Sequence, residues 1–406
     1  MTADLRERVR ALPGMERLLP ALSGLPPVFL VGGAVRDLLR GAPGVDIDLA
    51  VEGDGPTTAG TLAERLGGTV LAHGRFGTAT VRGPGLTFDL AGTRRERYPQ
   101  PGALPEVESA PLAEDLRRRD FTINAMAVCL TGEGFGRLHD PARGRDDLEA
   151  GIVRVLHPGS FVDDPTRLLR AVRYEARLSF TMDPDTELLA RSAVEEGALG
   201  TVSGGRIADE LLGLLGETEA PAGVERLRAL GIDVALHPAL MADPVLVASA
   251  ELGATETGAD RVLAALAALC SPDPQALAGW LNDLQLHASA RDAVLDAARS
   301  APALAVGLRM ELRPSALYGL LRDEPPEALA LALALGAPPE PILRFVSQLR
   351  HVRLEISGND LVAAGVPESP ALGRALDETL RRKLDGELAG RDEELRAALE
   401  LAGEVG

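Results

Sequence analysis

The spacing of apolar positions changes character along the chain. In the first 140 residues, short apolar or alternating runs typical of strands are interleaved with helical spacing. The predicted strands are Val28–Val31, Asp46–Val51, Gly77–Val81 and Leu86–Leu90, and the predicted helices are Ala34–Arg40, Thr58–Leu66 and Leu112–Arg118. Tyr98–Pro111 is predicted to be a loop, and after Asp140 the pattern predicts a strand only at Ile152–Leu156. From Pro165 onward helical spacing dominates. The sequence therefore predicts an N-terminal part of strands and helices followed by a long all-α part.

Length and composition narrow the class of protein. The chain has 406 residues, of which 46% are apolar and 25% charged, which predicts two to four folded domains and excludes a disordered or fibrous chain. No apolar run reaches the roughly 18 residues of a membrane span, and the N-terminus lacks a signal-peptide pattern. Cys129 and Cys270 lie far apart, so we expect a reduced, cytoplasmic protein without a disulfide or zinc cluster.

The distribution of charge along the chain is compatible with a nucleic-acid partner. The formal net charge is −18, but residues 1–180 contain 23 arginines against 24 acidic residues, whereas residues 181–406 contain 19 basic and 36 acidic residues. Local patches decide phosphate binding, so overall acidity is weak evidence against it. The chain has a single lysine, Lys383, in a charged helical stretch. That position excludes P-loop and Schiff-base chemistry.

Two neighbouring motifs suggest chemistry on a triphosphate. On the predicted strand, Asp46 and Asp48 point to one face while Ile47 enters the core, and two such carboxylates suit Mg²⁺. Upstream, Gly32 and Gly33 connect a strand to a helix, where exposed N–H groups can hold phosphates and Arg36 adds charge. Either motif alone is common as a solvated strand or an ordinary turn. Their combination indicates nucleotidyl transfer.

Two arginine-rich segments add candidate nucleotide contacts. Arginines 117–119 cannot share one helix face, so some must point inward toward an anion or a carboxylate. After Pro165, which marks a helix start, a drifting stripe of arginines begins at Arg167. Asp164 and Arg167 are neighbours on one face, and a carboxylate with a guanidinium matches the amine and ring nitrogen that cytosine and adenine share. A solvated helix face is the alternative reading of the stripe.

In order and spacing, VFLVGGAVRDLLRG…DIDLAV, EDLRRRDFTINAMAV, DPARGRDDLEAGIVRVL and FVDDPTRLLRAVRYEARLSF resemble the class II tRNA nucleotidyltransferases and bacterial poly(A) polymerases. The resemblance covers roughly Phe29 to Leu215. It implies an α+β head with an antiparallel palm sheet over residues 1–140, a neck that recognises the base over 141–215, and a helical body and tail that hold tRNA over 216–406. It also implies Mg²⁺ as cofactor, ATP and possibly CTP as substrates, and tRNA as partner.

Residue by residue, the resemblance implies that Asp46 and Asp48 are the metal ligands and catalytic carboxylates, and that Asp164 and Arg167 are the template for C and A. Asp163 stands where the family usually has Glu, which puts the helix-start contacts in doubt. Arg206 and Glu210 resemble a motif that steadies the neck, and Asp89 and Arg94 fall at positions where the family has a further acidic and basic residue. The remaining implied nucleotide contacts are Gly32, Gly33, Arg36, Arg118, Arg119, Asn124, Arg170 and Arg173.

The segment from Tyr98 to Glu108 bears on which nucleotide is added. It has three prolines and no cation, which stiffens it, and it is similar to that of the A-adding enzymes, whose partner enzyme supplies the two C residues. We therefore expect A addition to tRNA ending in CC. A full CCA-adding or a CC-adding enzyme is the alternative. The acidic C-terminal part disfavours poly(A) polymerase, and the intact Asp46 and Asp48 disfavour an inactive RNA-binding protein. His139 and Asp140 are expected to be a structural loop.

Overall fold

A computed structural model describes residues 5–42, 46–73 and 77–404. The chain forms two compact units. The N-terminal unit runs to Glu219 and includes Ala229–Leu236, and the C-terminal unit comprises Ala220–Arg228 and the described residues from His237 onward. The predicted head–neck boundary at residue 140 lies inside the N-terminal unit, and the three-part division remains a prediction.

Within the described residues, seven strands of the N-terminal unit form one sheet in the order β3-β4-β5-β2-β1-β8-β9. Neighbouring strands are antiparallel except β2 and β5, which are parallel. Two strand pairs, β6 with β7 and β10 with β11, lie outside this sheet. The strands are β1 (Val28–Val31), β2 (Ile47–Val51), β3 (Thr69–His73), β4 (Thr78–Gly83), β5 (Leu86–Gly92), β6 (Arg94–Arg97), β7 (Glu106–Ser109), β8 (Ala127–Cys129), β9 (Leu138–His139), β10 (Ile152–Val153) and β11 (Thr181–Met182).

The helices up to residue 236 surround or follow these strands. They are α1 (Arg6–Arg10), α2 (Met15–Ala21), α3 (Gly33–Arg40), α4 (Gly55–Leu66), α5 (Leu112–Arg117), α6 (Gly144–Ala150), α7 (Ser160–Asp163), α8 (Thr166–Leu178), α9 (Pro184–Glu195), α10 (Gly204–Leu215), α11 (Ala220–Leu230) and α12 (Ile232–Leu236), with short 3₁₀ turns at Thr122–Asn124, Gly132–Gly134 and Ala198–Thr201.

The sheet separates two apolar clusters because side chains alternate between its faces. On one face Leu49 and Val51 join the large core that includes residues of α1 to α4. On the other face Ala50 packs in a smaller cluster with Leu112 and Leu116 of α5. The side chain at position 48 shares the face of Ala50, so β2 directs Asp48 toward the thinly covered side of the sheet.

The predicted fold class is confirmed, but the element prediction was incomplete. The segment Tyr98–Pro111, predicted to be a loop, contains β7, which pairs with β6 over four residues. β3 was not predicted, and neither was β11, whose two residues pair in parallel with β10. β7 is strongly charged and β11 has only two residues, so their apolar pattern is weak. β3 is an edge strand whose Val70 and Leu71 are both exposed, so no apolar alternation marks it, and tertiary pairing determines all three strands.

The C-terminal unit is helical, as predicted. Its core is built from small and branched side chains of α13, α14, α16 and α18 that pack against one another. A separate apolar cluster near the C-terminus joins α20, α21 and α22 around the buried Leu361 and Ala398. The helices are α13 (Pro244–Thr257), α14 (Arg261–Cys270), α15 (Pro274–Asp283), α16 (Ala288–Gly307), α17 (Pro314–Leu321), α18 (Pro326–Ala334), α19 (Pro339–Ser347), α20 (Gly358–Ala363), α21 (Pro370–Leu384) and α22 (Arg391–Glu404), with a 3₁₀ turn at Leu349–His351.

Among the described residues, no helix is both long and apolar enough to cross a membrane. Cys129 and Cys270 are both buried and free.

Candidate active site

A polar cavity of about 450 Å³ in the N-terminal unit brings together most of the candidate residues. Elements that are far apart in sequence supply its walls, namely the start of β2, the loop into α3, the end of β6, the segment after α5 and one face along the length of α8. Its lining residues are Gly32, Gly33, Ala34, Arg36, Asp37, Asp46, Asp48, Glu96, Tyr98, Arg118, Arg119, Asp120, Asn124, Asp164, Arg167, Arg170, Tyr174 and Arg177.

The start of β2 places two carboxylates in this cavity. Asp46 and Asp48 are both exposed, while Ile47 between them is buried in the core. The parallel pairing of β2 with β5 sets Asp89 directly beside Asp48, and Thr80 donates a hydrogen bond of 2.5 Å to Asp89. Asp89 itself does not line the cavity. Asp48 thus lies on the strand as predicted, whereas Asp46 directly precedes it, and both carboxylates line the cavity.

Asp48 is partly desolvated and lies close to two other carboxylates. Partial desolvation by the cavity walls, together with the negative charges of Asp89 and Asp46, raises the pKa of Asp48 to about 6, and Arg119 only partly opposes this. A divalent cation would relieve this repulsion, and carboxylate oxygens are the ligands that Mg²⁺ prefers. Among the described residues no three acidic, His or Cys side chains form a complete metal cage. The donor set therefore fits an ion held by two carboxylates, with the remaining positions left to substrate and water.

The turn into α3 is the segment predicted to hold phosphates, here called the phosphate cradle, and its Gly32 and Gly33 both line the cavity. Gly32 has φ +65°, a conformation that glycine adopts without strain, and a Cβ there would lie 2.6 Å from Nη1 of Arg119. Arg36 is held firmly beneath this turn, because its guanidinium bonds to Asp37 at 2.8 and 2.9 Å and to Asn124 Oδ1 at 2.7 Å. With a side chain only 3% exposed, Arg36 shapes the cradle wall more than it projects into the cavity.

The arginines after α5 share one buried carboxylate. Arg118 and Arg119 both bond to Asp115, at 2.8 and 3.0 Å, and Arg118 also bonds to Glu96 at 2.7 Å. Burial opposes ionisation of Asp115, but the two guanidinium groups lower its pKa. Arg117 is exposed. The prediction that some of these arginines point inward toward a carboxylate is confirmed, and that carboxylate is Asp115.

At the start of α8, the two candidate base-reading groups lie in one wall of the cavity. Oδ1 of Asp164 accepts hydrogen bonds from Thr166 and from Arg206 at 2.7 Å, and among the described residues Oδ2 has no hydrogen-bond partner. Arg167 is 4% exposed and bonds to Ser160 Oγ at 2.6 Å and to the Arg118 carbonyl at 2.9 Å. No carboxylate of the described residues forms an ion pair with Arg167. The guanidinium of Arg167 is therefore buried and is oriented by hydrogen bonds to neutral acceptors.

Farther along α8, two other candidates are engaged in ion pairs. Arg170 bonds to Asp120 at 2.5 Å and to Glu210 at 3.0 Å, and it lines the cavity. Burial of Asp120 is outweighed by Arg170, which lowers the pKa of this aspartate to about 2. Arg173 bonds to Glu217 at 2.6 Å and lies outside the cavity lining. Arg94 is likewise outside it and bonds to Glu96 at 3.1 Å.

The sequence interpretation missed several lining residues. Tyr98 donates to Glu96 at 3.1 Å, and burial followed by the charge of Glu96 raises the pKa of Tyr98 to about 12. Glu96 lies on β6 and Tyr98 directly follows it, and the apolar pattern did not predict this strand. Tyr174 lies under the guanidinium groups of Arg36 and Arg170, at 5.2 and 5.7 Å from its ring centre. Tyr174 follows Arg170 by four residues and so lies on the same helix face, and this spacing could have predicted it as a lining residue.

Comparisons with known proteins agree with this geometry. Residues 28–154 match the family model described as the Poly A polymerase head domain. A CC-adding tRNA nucleotidyltransferase of Deinococcus radiodurans is 35% identical over 91% of this chain and 87% of that protein. An A-adding tRNA nucleotidyltransferase of Geobacter sulfurreducens is 40% identical over 93% of this chain, but this match spans 45% of the relative. The chain spans about half or less of the length of the A-adding relatives it matches first.

Solved structures give the same result. The Thermotoga maritima CCA-adding enzyme complexed with tRNA is 30% identical, with a TM-score of 0.75 over 96% of this chain and 94% of that chain. A CCA-adding enzyme in complex with ATP is 30% identical, with a TM-score of 0.81 over 98% of this chain and 96% of that chain. On the strength of these full-length similarities and the cavity that carries the motifs, the chain belongs to the tRNA nucleotidyltransferase family.

Proposed function

We propose that this protein transfers AMP from ATP to the 3′ end of tRNA without a nucleic-acid template. One observation carries the proposal: a single cavity contains paired carboxylates, a phosphate cradle and a carboxylate–guanidinium pair that can read a base edge. Each of these groups serves one part of a nucleoside triphosphate. Their convergence supports nucleotidyl transfer, and we expect it to take place in the cytoplasm.

The residues of the cavity have different proposed roles. Asp46 and Asp48 would hold Mg²⁺, which when bound stabilises the attacking hydroxyl and the charge that develops on the phosphates. The N–H of Gly33, in the first turn of α3, would face the triphosphate with Nη1 of Arg119 beside the turn, while the N–H of Gly32 donates to the Met126 carbonyl at 3.1 Å and fixes the turn. Positioning, rather than covalent chemistry, is what these groups supply.

Base choice would depend on the start of α8. The free Oδ2 of Asp164 can accept from the exocyclic amine of adenine or cytosine, while Arg167 donates to the ring nitrogen. Uracil and guanine present the reverse order of donor and acceptor and would leave the buried Arg167 and the part-buried Asp164 unpaired. Arg206 holds Oδ1 of Asp164 at 2.7 Å and so supports the orientation of the carboxylate.

We favour addition of A alone, with a separate enzyme adding the two C residues beforehand. Three relatives named A-adding tRNA nucleotidyltransferase are 40% to 46% identical to this chain over the matched regions. The segment after β6 supports a fixed site, because prolines stiffen it and β7 pairs back onto β6.

Addition of C is the second candidate. The CC-adding relative from Deinococcus radiodurans matches 91% of this chain, and structural neighbours at 30% identity include CCA-adding enzymes complexed with ATP and with CTP. Asp164 and Arg167 would accept adenine and cytosine alike, since the two bases share the edge pattern that they read.

The test of the general function uses labelled ATP, Mg²⁺ and two acceptors of equal length, a tRNA transcript ending in CC and an unstructured RNA ending in CC. We expect a single AMP to be added to the tRNA and little to the control RNA. Long adenylate tails on both acceptors would identify a poly(A) polymerase instead. Binding of tRNA without incorporation would identify an inactive RNA-binding protein.

A further inference from the structure

The arginines of the cavity differ in how far their charge is already neutralised. Arg36, Arg118, Arg119 and Arg170 each lie within 3.0 Å of at least one carboxylate oxygen. A guanidinium held by a carboxylate contributes less net attraction to an incoming anion than one without such a partner. A polyphosphate entering this cavity therefore depends on the cations that remain weakly paired.

Arg177 is such a cation. It lines the cavity, its side chain is 44% exposed, and its single ion-pair contact within the described part of the chain is to Glu217 at 4.0 Å. Glu217 is itself bound by Arg173 at 2.6 Å, so its charge is largely committed to that partner. The Arg177 guanidinium is consequently available to an anion in the cavity.

The position of Arg177 on α8 excludes a role in reading the base. It follows Arg167 by ten residues of one helix, which separates the two along the axis by about 15 Å. Between them the same helix contributes Arg170 and Tyr174 to the cavity wall, and the ring of Tyr174 packs against Arg36 of the phosphate cradle. Arg177 thus lies at the end of the cavity opposite the base-reading pair.

We propose that Arg177 is a polyphosphate-binding residue that contacts the terminal phosphates of the nucleotide and the pyrophosphate that leaves. This inference rests on the proposed function, because it assigns a further contact within the same site. The guanidinium of Arg177, whose side chain is 44% exposed, can follow the departing pyrophosphate more readily than those of Arg118 and Arg119, whose side chains are 18% exposed and bound to Asp115.

The test measures inhibition by pyrophosphate and affinity for ATP and AMP, using the full chain with Mg²⁺. For Arg177→Gln we expect the inhibition constant for pyrophosphate and the Kd for ATP to rise about tenfold, the size typical of one charge-assisted hydrogen bond. The affinity for AMP, which lacks the β- and γ-phosphates, should change little. Arg177→Lys should restore part of the pyrophosphate affinity because it keeps the charge.

Arg40→Gln is the matched control, since Arg40 is an exposed arginine on α3 that packs on Phe180 outside the cavity. It should leave both affinities unchanged. Equal pyrophosphate affinity in the wild type and Arg177→Gln would overturn the inference, as would a loss confined to tRNA affinity or to thermal stability. If the wild type itself bound neither ATP nor pyrophosphate, the proposed function would fail, which is a separate result.

Discussion

At the scale of single residues, the site depends on a difference between paired and unpaired charges. Most of its arginines are neutralised by nearby carboxylates, whereas Asp48 is crowded by Asp89 and Asp46 and has a raised pKa. Arg167 is buried without a carboxylate partner among the described residues. A ligand gains the most binding energy from a charged group that has no partner of opposite charge. Substitutions of Asp48 and Arg167 are therefore the most informative.

Replacing Asp48 should separate activity from stability. Asp48→Asn removes a carboxylate that the proposed cation requires, so we expect turnover to fall by about a thousandfold or more. Because the raised pKa means that the ionised group is disfavoured in the folded protein, the melting temperature without metal should stay the same or rise. Binding of tRNA should persist, and Asp46→Asn should behave similarly in turnover. Near-normal turnover of the double variant would refute the metal assignment.

Replacing Arg167 should relax base choice. A bidentate base contact supplies about 1–3 kcal/mol of discrimination, so Arg167→Ala should reduce the preference for ATP over UTP and GTP by about ten- to a hundredfold. Competition assays with all four nucleotides measure this ratio. Ser160→Ala is the control, because it removes a hydrogen bond to Arg167 but keeps the guanidinium. An Arg167→Ala protein with full preference for A or C would contradict the template assignment.

At the scale of structural elements, the segment between β6 and β7 is joined to the start of α8. The carbonyl of Gly102 accepts from Arg206 at 2.9 Å, and Arg206 also holds Asp164. The N–H of Gly102 donates to the Asp163 carbonyl at 3.3 Å. Position 102 therefore helps to determine where the base-reading carboxylate lies.

Gly102→Ala should disturb this connection. Gly102 has φ +70°, and a Cβ there would overlap Thr201, so the segment must move away from the 3₁₀ turn Ala198–Thr201. We expect kcat/KM for ATP to fall by about tenfold or more. Gly85→Ala is a matched control, because Gly85 has the same φ of +70° but its Cβ would meet no atom within 4 Å. Equal kinetic effects of the two substitutions would show that backbone strain alone is responsible.

The ion pair between Asp120 and Arg170 should appear in the pH dependence of stability. The folded-state pKa of Asp120 is about 2, below its unfolded value of about 3.9. The contribution of the ionised Asp120 to folding stability, about 3 kcal/mol, is therefore nearly complete above pH 4 and is lost as the pH falls toward 2. Denaturant unfolding of the wild type and Asp120→Asn between pH 2 and 7 measures this. The gap between the two curves should narrow below pH 4, and a constant gap would contradict the assigned pKa.

At the scale of the whole molecule, the features that could be predicted are those that depend on residues close together in the sequence. Asp46 and Asp48 lie beside the apolar alternation of β2, and Gly32 and Gly33 stand between a strand and a helix, so elementary periodicity places them. The helical second half is equally visible in its spacing. These signals sufficed for the fold class and for most of the cavity lining.

The features that were missed depend on contacts between distant elements. Glu96 and Tyr98 enter the cavity through a charged hairpin whose pairing has no apolar signature. The partner of each arginine, such as Asp115 for Arg118 or Glu217 for Arg173, follows from tertiary packing. For the same reason, the stripe on α8 could not be divided by sequence into Arg167, which lines the cavity, and Arg173, which does not.

The most direct test of the central claim is extension of three tRNA transcripts, ending at the discriminator base, at C and at CC, each with CTP, ATP or both and Mg²⁺. We expect ATP to be incorporated once, on the transcript ending in CC, and CTP to be incorporated on none. Efficient CTP incorporation on the transcript ending at the discriminator base would contradict A-only addition. Failure to extend any transcript with either nucleotide would contradict the account of the cavity as a nucleotidyl-transfer site.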